Sequence, residues 1–142
     1  MVDASLTLAA SLAEVTRARA WALEQARAAG LGEDDVFALE LALAEALTNV
    51  VRHAYGGQAP DRGGEDIVLG LSVDADELRI TVTDWGHAAP PAQAPEIDLD
   101  EPRTGGYGLF LLEQLMDEVR VSPGDGEGTI LQMHRRLGVD RP

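Results

Sequence analysis

A carboxylate and a carboxamide lie one helical turn apart in the segment predicted as the second helix. Glu45 and Asn49 are four residues apart, so on a helix they are neighbours on one face. An amide oxygen can give magnesium one ligand while phosphates and water supply the others. A carboxylate that stays free of the metal can accept a proton from a hydroxyl group. The pair predicts proton transfer beside a magnesium-bound phosphate, although the same spacing also occurs on ordinary solvent-facing helices.

Other polar residues share this face of the predicted helix. At about 100° per residue, Thr48, Arg52 and His53 fall within about 140° of arc with Glu45 and Asn49. We include Arg52, the cation of this set, among the candidate nucleotide contacts. The opposite side carries an apolar stripe that supplies the packing surface, formed by Val36, Leu39, Leu43, Leu47, Val50 and Ala54.

A second candidate site ends the strand that precedes a long loop. Asp84 is followed by Trp85 and Gly86. A carboxylate at a strand end that faces a pocket can accept a hydrogen bond from an exocyclic amine, such as that of adenine. Gly86 leaves room for a flat ring to approach the backbone. The same three residues are also typical of an ordinary turn after a strand.

Two glycine-bearing segments complete the set. Gly105, Gly106 and Gly108 precede Leu109 at the start of a predicted helix, where free amide groups and the helix dipole favour a phosphate. Taken alone, this segment is equally typical of a flexible hinge. Thr129 begins the last strand after a Gly-Glu-Gly sequence, which by itself predicts a plain hairpin turn.

The elements that must position these residues follow from the hydrophobic pattern. In chain order they are a strand at residues 5–9, helices at 11–30 and 33–54, strands at 67–73 and 78–83, a helix at 109–116, and strands at 119–121 and 129–133. This order predicts an α+β fold, a two-layer sandwich with helices packed on one face of a mixed, largely antiparallel sheet. We expect a single domain, residues 1–142, with a proline-rich lid at about 85–105.

The composition excludes several classes of partner and of catalytic site. The chain of 142 residues has 25 acidic residues and 11 arginines, a formal net charge of -14 and a pI near 4.4. This balance argues against nucleic acid or anionic membrane as a direct partner. Lysine and cysteine are both absent, which excludes a Walker A lysine, a Schiff base, a thiolate nucleophile and a disulfide. The first residues lack a cationic signal sequence and no segment reaches roughly 18 apolar residues, so we expect a cytoplasmic protein.

In order and spacing, the four segments resemble the N, G1, G2 and G3 boxes of the GHKL ATPase superfamily, which includes gyrase, heat-shock chaperones, histidine kinases and mismatch-repair ATPases. The resemblance implies the Bergerat-type sandwich of that superfamily and an ATP pocket under a mobile lid. It implies that Glu45 is the general base, that Asn49 holds magnesium and that Asp84 binds the adenine amino group. With the residues beside them, the predicted nucleotide contacts are Asn49, Arg52, Asp84, Gly86, Gly105, Gly106, Gly108, Leu109 and Thr129.

Within that superfamily, the segments of residues 45–55 and 108–119 resemble the anti-sigma factor serine/threonine kinases. The resemblance implies a kinase that uses ATP and magnesium to phosphorylate an anti-anti-sigma antagonist of the STAS type. It also implies that the protein sequesters a sigma factor and forms a homodimer, without binding nucleic acid or membrane directly.

Two positions differ from the family pattern. Thr104 separates Arg103 from the glycines that follow, and His87 and Ala88 stand where a second glycine usually follows Gly86. These differences favour a second hypothesis, a nucleotide-binding partner-switch module of the same fold without kinase activity. A third hypothesis is a detached histidine-kinase catalytic module, which would need a separate helix pair with a phosphoacceptor histidine.

Overall fold

The part of the chain that the structure describes contains five strands and three α-helices. The structure is a computed structural model and describes residues 1–54, 64–86, 107–124 and 128–138. The strands are β1 (Val2–Leu8), β2 (Ile67–Val73), β3 (Glu77–Asp84), β4 (Glu118–Pro123) and β5 (Thr129–Arg136). The helices are α1 (Leu12–Ala28), α2 (Glu33–Asn49) and α3 (Tyr107–Leu115).

The strands form one sheet in the order β1-β2-β3-β5-β4. All four strand pairings are antiparallel, so the sheet predicted as mixed is antiparallel throughout the described residues. Alternate residues of β2 and β3 are buried and form one core with the buried side chains of the helices. The predicted two-layer α+β sandwich is therefore confirmed.

Side-chain hydrogen bonds define the start of α1 and the turn between β2 and β3. The Ser11 hydroxyl accepts a hydrogen bond of 3.2 Å from the Glu14 backbone N–H, which caps the start of α1. Between β2 and β3, Asp74 Oδ1 accepts bonds of 2.8 Å from the backbone N–H groups of Asp76 and Glu77. This short-range bonding closes the hairpin that β2 and β3 form.

Helix α2 is the central helix of its layer and packs against both α1 and α3. Its predicted apolar stripe is buried from Val36 to Val50, whereas the side chain of Ala54 lies outside the described part. The helix was predicted to continue to residue 54, but α-helical geometry ends at Asn49 and a π-helical turn spans Val50–Ala54. Among the described helices, none has the length and apolar character needed to cross a membrane.

Candidate nucleotide site

Asp84 is a buried carboxylate at the end of β3. Its side chain is only 4% exposed and follows the alternation of Ile80 and Val82, so it lies on the helix-covered side of the sheet. The Gly86 backbone N–H donates a bond of 2.9 Å to Asp84 Oδ1. The ordinary turn that the sequence predicts after β3 is therefore present. Its hydrogen bond also holds the buried Asp84 carboxylate in one orientation.

The start of β5 packs directly on this strand end. Thr129 is the cross-strand partner of Asp84, and its backbone N–H also bonds to the carboxylate. A Cβ atom added to Gly128 would overlap the Asp84 carbonyl oxygen and lie 3.0 Å from the Trp85 Cα. Gly128 therefore permits an approach of two backbones that no larger residue allows.

Burial raises the pKa of Asp84 above its ordinary value of 3.8. The backbone N–H groups of Gly86 and Thr129 favour the ionised form, but their effect is smaller than that of desolvation. Burial of this carboxylate costs desolvation free energy, and two backbone N–H groups hold it in place. Such a group is suited to accept a hydrogen bond from a ligand amine.

Glu45 and Asn49 lie on the side of α2 that faces away from α1. Glu40 marks the α1 side, because its Oε1 lies 3.4 Å from Nη2 of Arg19 on α1. At 3.6 residues per turn, Glu45 is about 140° and Asn49 about 180° around the helix from Glu40. Both are half-buried. Because α1 covers the Glu40 side of α2, we infer that they lie on the flank toward α3, the other helix that packs on α2.

The first turn of α2 lies at the end of the sheet opposite Asp84. Its Asp35 Oδ1 accepts a bond of 2.8 Å from Nε of Arg135, near the end of β5. The same end holds a cavity of about 250 Å³ between the α1–α2 connection, the β2–β3 turn and Gly138. From Asp35 to Asn49 the helix rises roughly 21 Å, and β5 from Arg135 back to Thr129 spans roughly 20 Å.

The direction of α1 supports this orientation of α2. Asp66, next to the β2 residue that pairs with Asp84, accepts a bond of 2.8 Å from the Ala10 backbone N–H just before α1. Helix α1 therefore starts at the Asp84 end of the sheet, and α2 returns from the far end. Glu45 and Asn49, in its last turns, are carried back toward the end where Asp84 and Thr129 meet.

Helix α3 runs antiparallel to α2. The Leu115 carbonyl oxygen, at the end of α3, accepts a bond of 2.6 Å from Nη1 of Arg135 at the far end. The first turn of α3, which contains Gly108 and Leu109, therefore points toward the Asp84 end. Its backbone N–H groups lack partners within the helix, as in any helix N-terminus, so they are suited to an anion.

The remaining predicted site residues divide into two groups. Arg52 lies in the π-helical turn and its side chain is exposed. Gly105, Gly106, Thr104 and His87 lie outside the described residues, as does the predicted lid beyond Gly86. The roles of the site residues remain predictions.

Two buried groups near this framework were not anticipated from the sequence. Asp66 is 1% exposed at the start of β2, and Arg135 is 6% exposed on β5. The signal for Arg135 was available, because it continues the inward alternation of Leu131 and Met133. The strand was predicted to end at Met133, so this alternation was not followed far enough. No comparable pattern marks Asp66.

The donor set fits ATP with magnesium. Within the described residues, no group of three or more His, Asp or Glu side chains could hold a metal ion by itself. Magnesium bound beside Asn49 would therefore take its other ligands from phosphate and water, which is how this ion commonly binds with nucleotides. Asp84 offers a buried acceptor, and α3 offers amide donors, at the same end of the sheet.

The sequence is similar to serine-protein kinases named RsbW. It is 38% identical over 105 residues to the one from Bacillus licheniformis, a match that covers 68% of this chain and 63% of that kinase. It is 36% identical over 120 residues to the one from Bacillus subtilis strain 168, which covers 79% of this chain and 71% of that kinase. The chain thus spans only about two thirds of the length of these relatives.

The family of histidine kinase-like ATPase domains matches residues 8–135. The chain belongs to this family. The crystal structure of the RsbU and RsbW domains of Rv1364c from Mycobacterium tuberculosis superposes on this chain with a TM-score of 0.71 at 22% identity. That match covers 100% of this chain and 34% of the mycobacterial one. The predicted histidine kinase-like ATPase fold is confirmed.

Replacing Asp84 by asparagine separates its charge from its hydrogen bonding. The amide keeps an oxygen for the Gly86 N–H but has no charge to desolvate. Because the folded pKa of Asp84 lies above 3.8, the wild type loses stability as the pH rises from that value through the folded pKa. We expect the unfolding free energy of Asp84→Asn, relative to wild type, to be higher at pH 7 than at pH 4 in urea titrations. A smaller relative value at pH 7 would contradict this assignment.

Gly128→Ala should force β5 away from the end of β3. The added methyl group meets backbone atoms, which cannot rotate away, so we expect a loss of about 1 to 3 kcal/mol in unfolding free energy. Gly124→Ala is the control on the same hairpin, because a Cβ there has its nearest neighbours at 3.4 Å, an ordinary contact. Equal unfolding free energies for the two variants in urea would show that the close approach is absent.

Proposed function

We propose that this chain is an ATP- and magnesium-dependent protein serine/threonine kinase that acts as an anti-sigma regulatory factor. It phosphorylates an anti-anti-sigma antagonist of the STAS type and sequesters a sigma factor. The named activity of the RsbW relatives at 36% to 38% identity supports this proposal.

One observation carries the proposal. The buried Asp84 carboxylate, the half-buried Glu45 and Asn49, and the N-terminal turn of α3 are all directed to one end of the sandwich. These groups have the chemistry needed at the two ends of an adenine nucleotide. Desolvated ionisable groups of this kind are concentrated at functional sites.

The adenine end of the nucleotide would bind at the junction of β3 and β5. Asp84 accepts a hydrogen bond from the exocyclic amino group, and Gly86 leaves room beside the ring. The two backbone N–H groups on Asp84 hold its carboxylate in place before the ligand arrives. Thr129 borders the base at the start of β5.

The phosphate end would bind between α2 and α3. The Asn49 amide oxygen would hold magnesium, and the bound ion would supply positive charge against the phosphates. The backbone N–H groups of Gly108 and Leu109 in the first turn of α3 would donate to phosphate oxygens, as would those of Gly105 and Gly106, predicted from the sequence alone. Because the chain has no lysine, Arg52 is the cation that this set contributes.

Glu45 would act on the hydroxyl group of the acceptor protein. The serine or threonine oxygen forms a new bond to the γ-phosphorus as the bond to the β-phosphate oxygen breaks, and ADP leaves. Glu45 accepts the hydroxyl proton during this transfer. Holding the hydroxyl and the phosphate together supplies a large part of the rate.

The assembly belongs to the same proposal. We place the kinase in the cytoplasm as a single domain, residues 1–142, that forms a homodimer and contacts proteins rather than nucleic acid or membrane. The acidic surface implied by a net charge of -14 supports this choice of partners.

Glu45→Ala tests the catalytic assignment. We expect this variant to bind ATP as the wild type does and to lose phosphotransfer by about 100-fold or more, because a positioned base contributes about that much. The measurement is transfer of label from γ-labelled ATP to the STAS-type anti-anti-sigma proteins of the same organism, with ATP affinity measured in parallel.

Glu40→Ala is the matched control for this experiment. Glu40 is an acidic residue on the same helix but on the α1 side, so its loss should leave phosphotransfer unchanged. Full activity of Glu45→Ala would remove Glu45 from the mechanism. ATP binding by the wild type without transfer to any of those proteins would favour the partner-switch module instead.

A further inference from the structure

Arg135 joins three of the elements that carry the proposed site. It lies on β5, and it is the one buried cation in the described ranges, with 6% exposure. Its Nε donates a bond of 2.8 Å to Asp35 in the first turn of α2. Its Nη1 donates a bond of 2.6 Å to the carbonyl oxygen of Leu115 at the end of α3. One guanidinium group therefore holds one strand and two helices together.

Both contacts lie at helix ends. The Leu115 carbonyl belongs to the last turn of α3, where carbonyls have no partner inside the helix and a cation is favourable. Asp35 lies in the first turn of α2, where a carboxylate is favourable. Arginine suits this junction because its planar group offers several donors in fixed directions, which the single ammonium of lysine does not.

Stability alone does not account for this arrangement. A buried ion pair commonly contributes no more than a well-packed apolar contact of the same size, because desolvation offsets the attraction between the charges. Directed hydrogen bonds differ from apolar contacts in that they fix the position of one element along another. The distinctive property of Arg135 is therefore geometric.

By fixing the junction, Arg135 also fixes the positions of the opposite ends of both helices, which lie toward the Asp84 end of the sheet. From Asp35 to Glu45, α2 rises roughly 15 Å, and from Leu115 back to the first residue of α3 the rise is roughly 12 Å. The two helices run antiparallel from the same junction toward the proposed site. A displacement of α3 along α2 at the junction is therefore carried to the N-terminal amide groups of α3, near the level of Glu45.

We propose that Arg135 is a positioning residue, which holds the N-terminus of α3 in register with the Glu45 turn of α2 for phosphate binding. This inference rests on the proposed function, because it concerns the phosphate end of the same nucleotide site. It does not involve the adenine end, because Asp84, Gly86 and Thr129 are joined through the sheet.

The test compares two ligands that differ in their phosphates. ATP with magnesium and adenosine are titrated into the wild type, Arg135→Lys and Glu40→Gln, and binding is followed by ligand-observed NMR. For Arg135→Lys we expect ATP affinity to fall by about tenfold or more, because a small misplacement of α3 moves its amide groups away from the phosphates, while adenosine affinity is unchanged. Glu40→Gln removes the charge of one ion pair between α1 and α2 but leaves α3 untouched, so both affinities should equal those of the wild type.

Unchanged ATP affinity in Arg135→Lys, or equal losses for ATP and adenosine, would overturn the positioning role. An equal loss of ATP affinity in Glu40→Gln would also overturn it. If Arg135→Lys does not fold, as judged by circular dichroism, Asp35→Asn takes its place with the same expected result. A wild type that binds neither ligand would overturn the proposed function itself, and this inference with it.

Discussion

The burial of the apolar stripe of α2 is the constraint on which the rest of the structure depends. Leu39, Leu43 and Leu47 are completely buried in the core shared with the sheet, and this contact sets the rotation of the helix about its axis. Once that rotation is set, Glu45 and Asn49 can lie only on the flank away from α1. The placement of two polar residues is thus a consequence of apolar packing on the other side of the same helix.

The two ends of the sandwich have different physical characters. The far end is tied by a directed contact of Arg135 with Asp35 and Leu115, which closes the gap between α2 and α3. The near end holds the buried Asp84 carboxylate, whose pKa desolvation raises above its ordinary value. Such a division suits a binding protein, because rigidity at one end holds the other end ready without filling it.

Most of the fold could be predicted because its signals are local. The alternation of β2 and β3 and the turn at Asp74 lie within one short segment, and the stripe of α2 follows one helical period. The position of β5 between β3 and β4 could not be predicted, because it depends on pairings between distant parts of the chain. The π-helical turn after Asn49 had no sequence signal, and Arg135 was missed because its strand extends three residues beyond the predicted end.

The central claim is that one end of this sandwich binds ATP through magnesium at Asn49. Calorimetric titration of ATP, with and without magnesium, into the wild type and Asn49→Ala tests it most directly. The account predicts that the wild type binds ATP more tightly with magnesium and that Asn49→Ala abolishes this magnesium-dependent gain. A wild type that binds no ATP at millimolar concentration, or an Asn49→Ala variant that keeps the full gain, would contradict it.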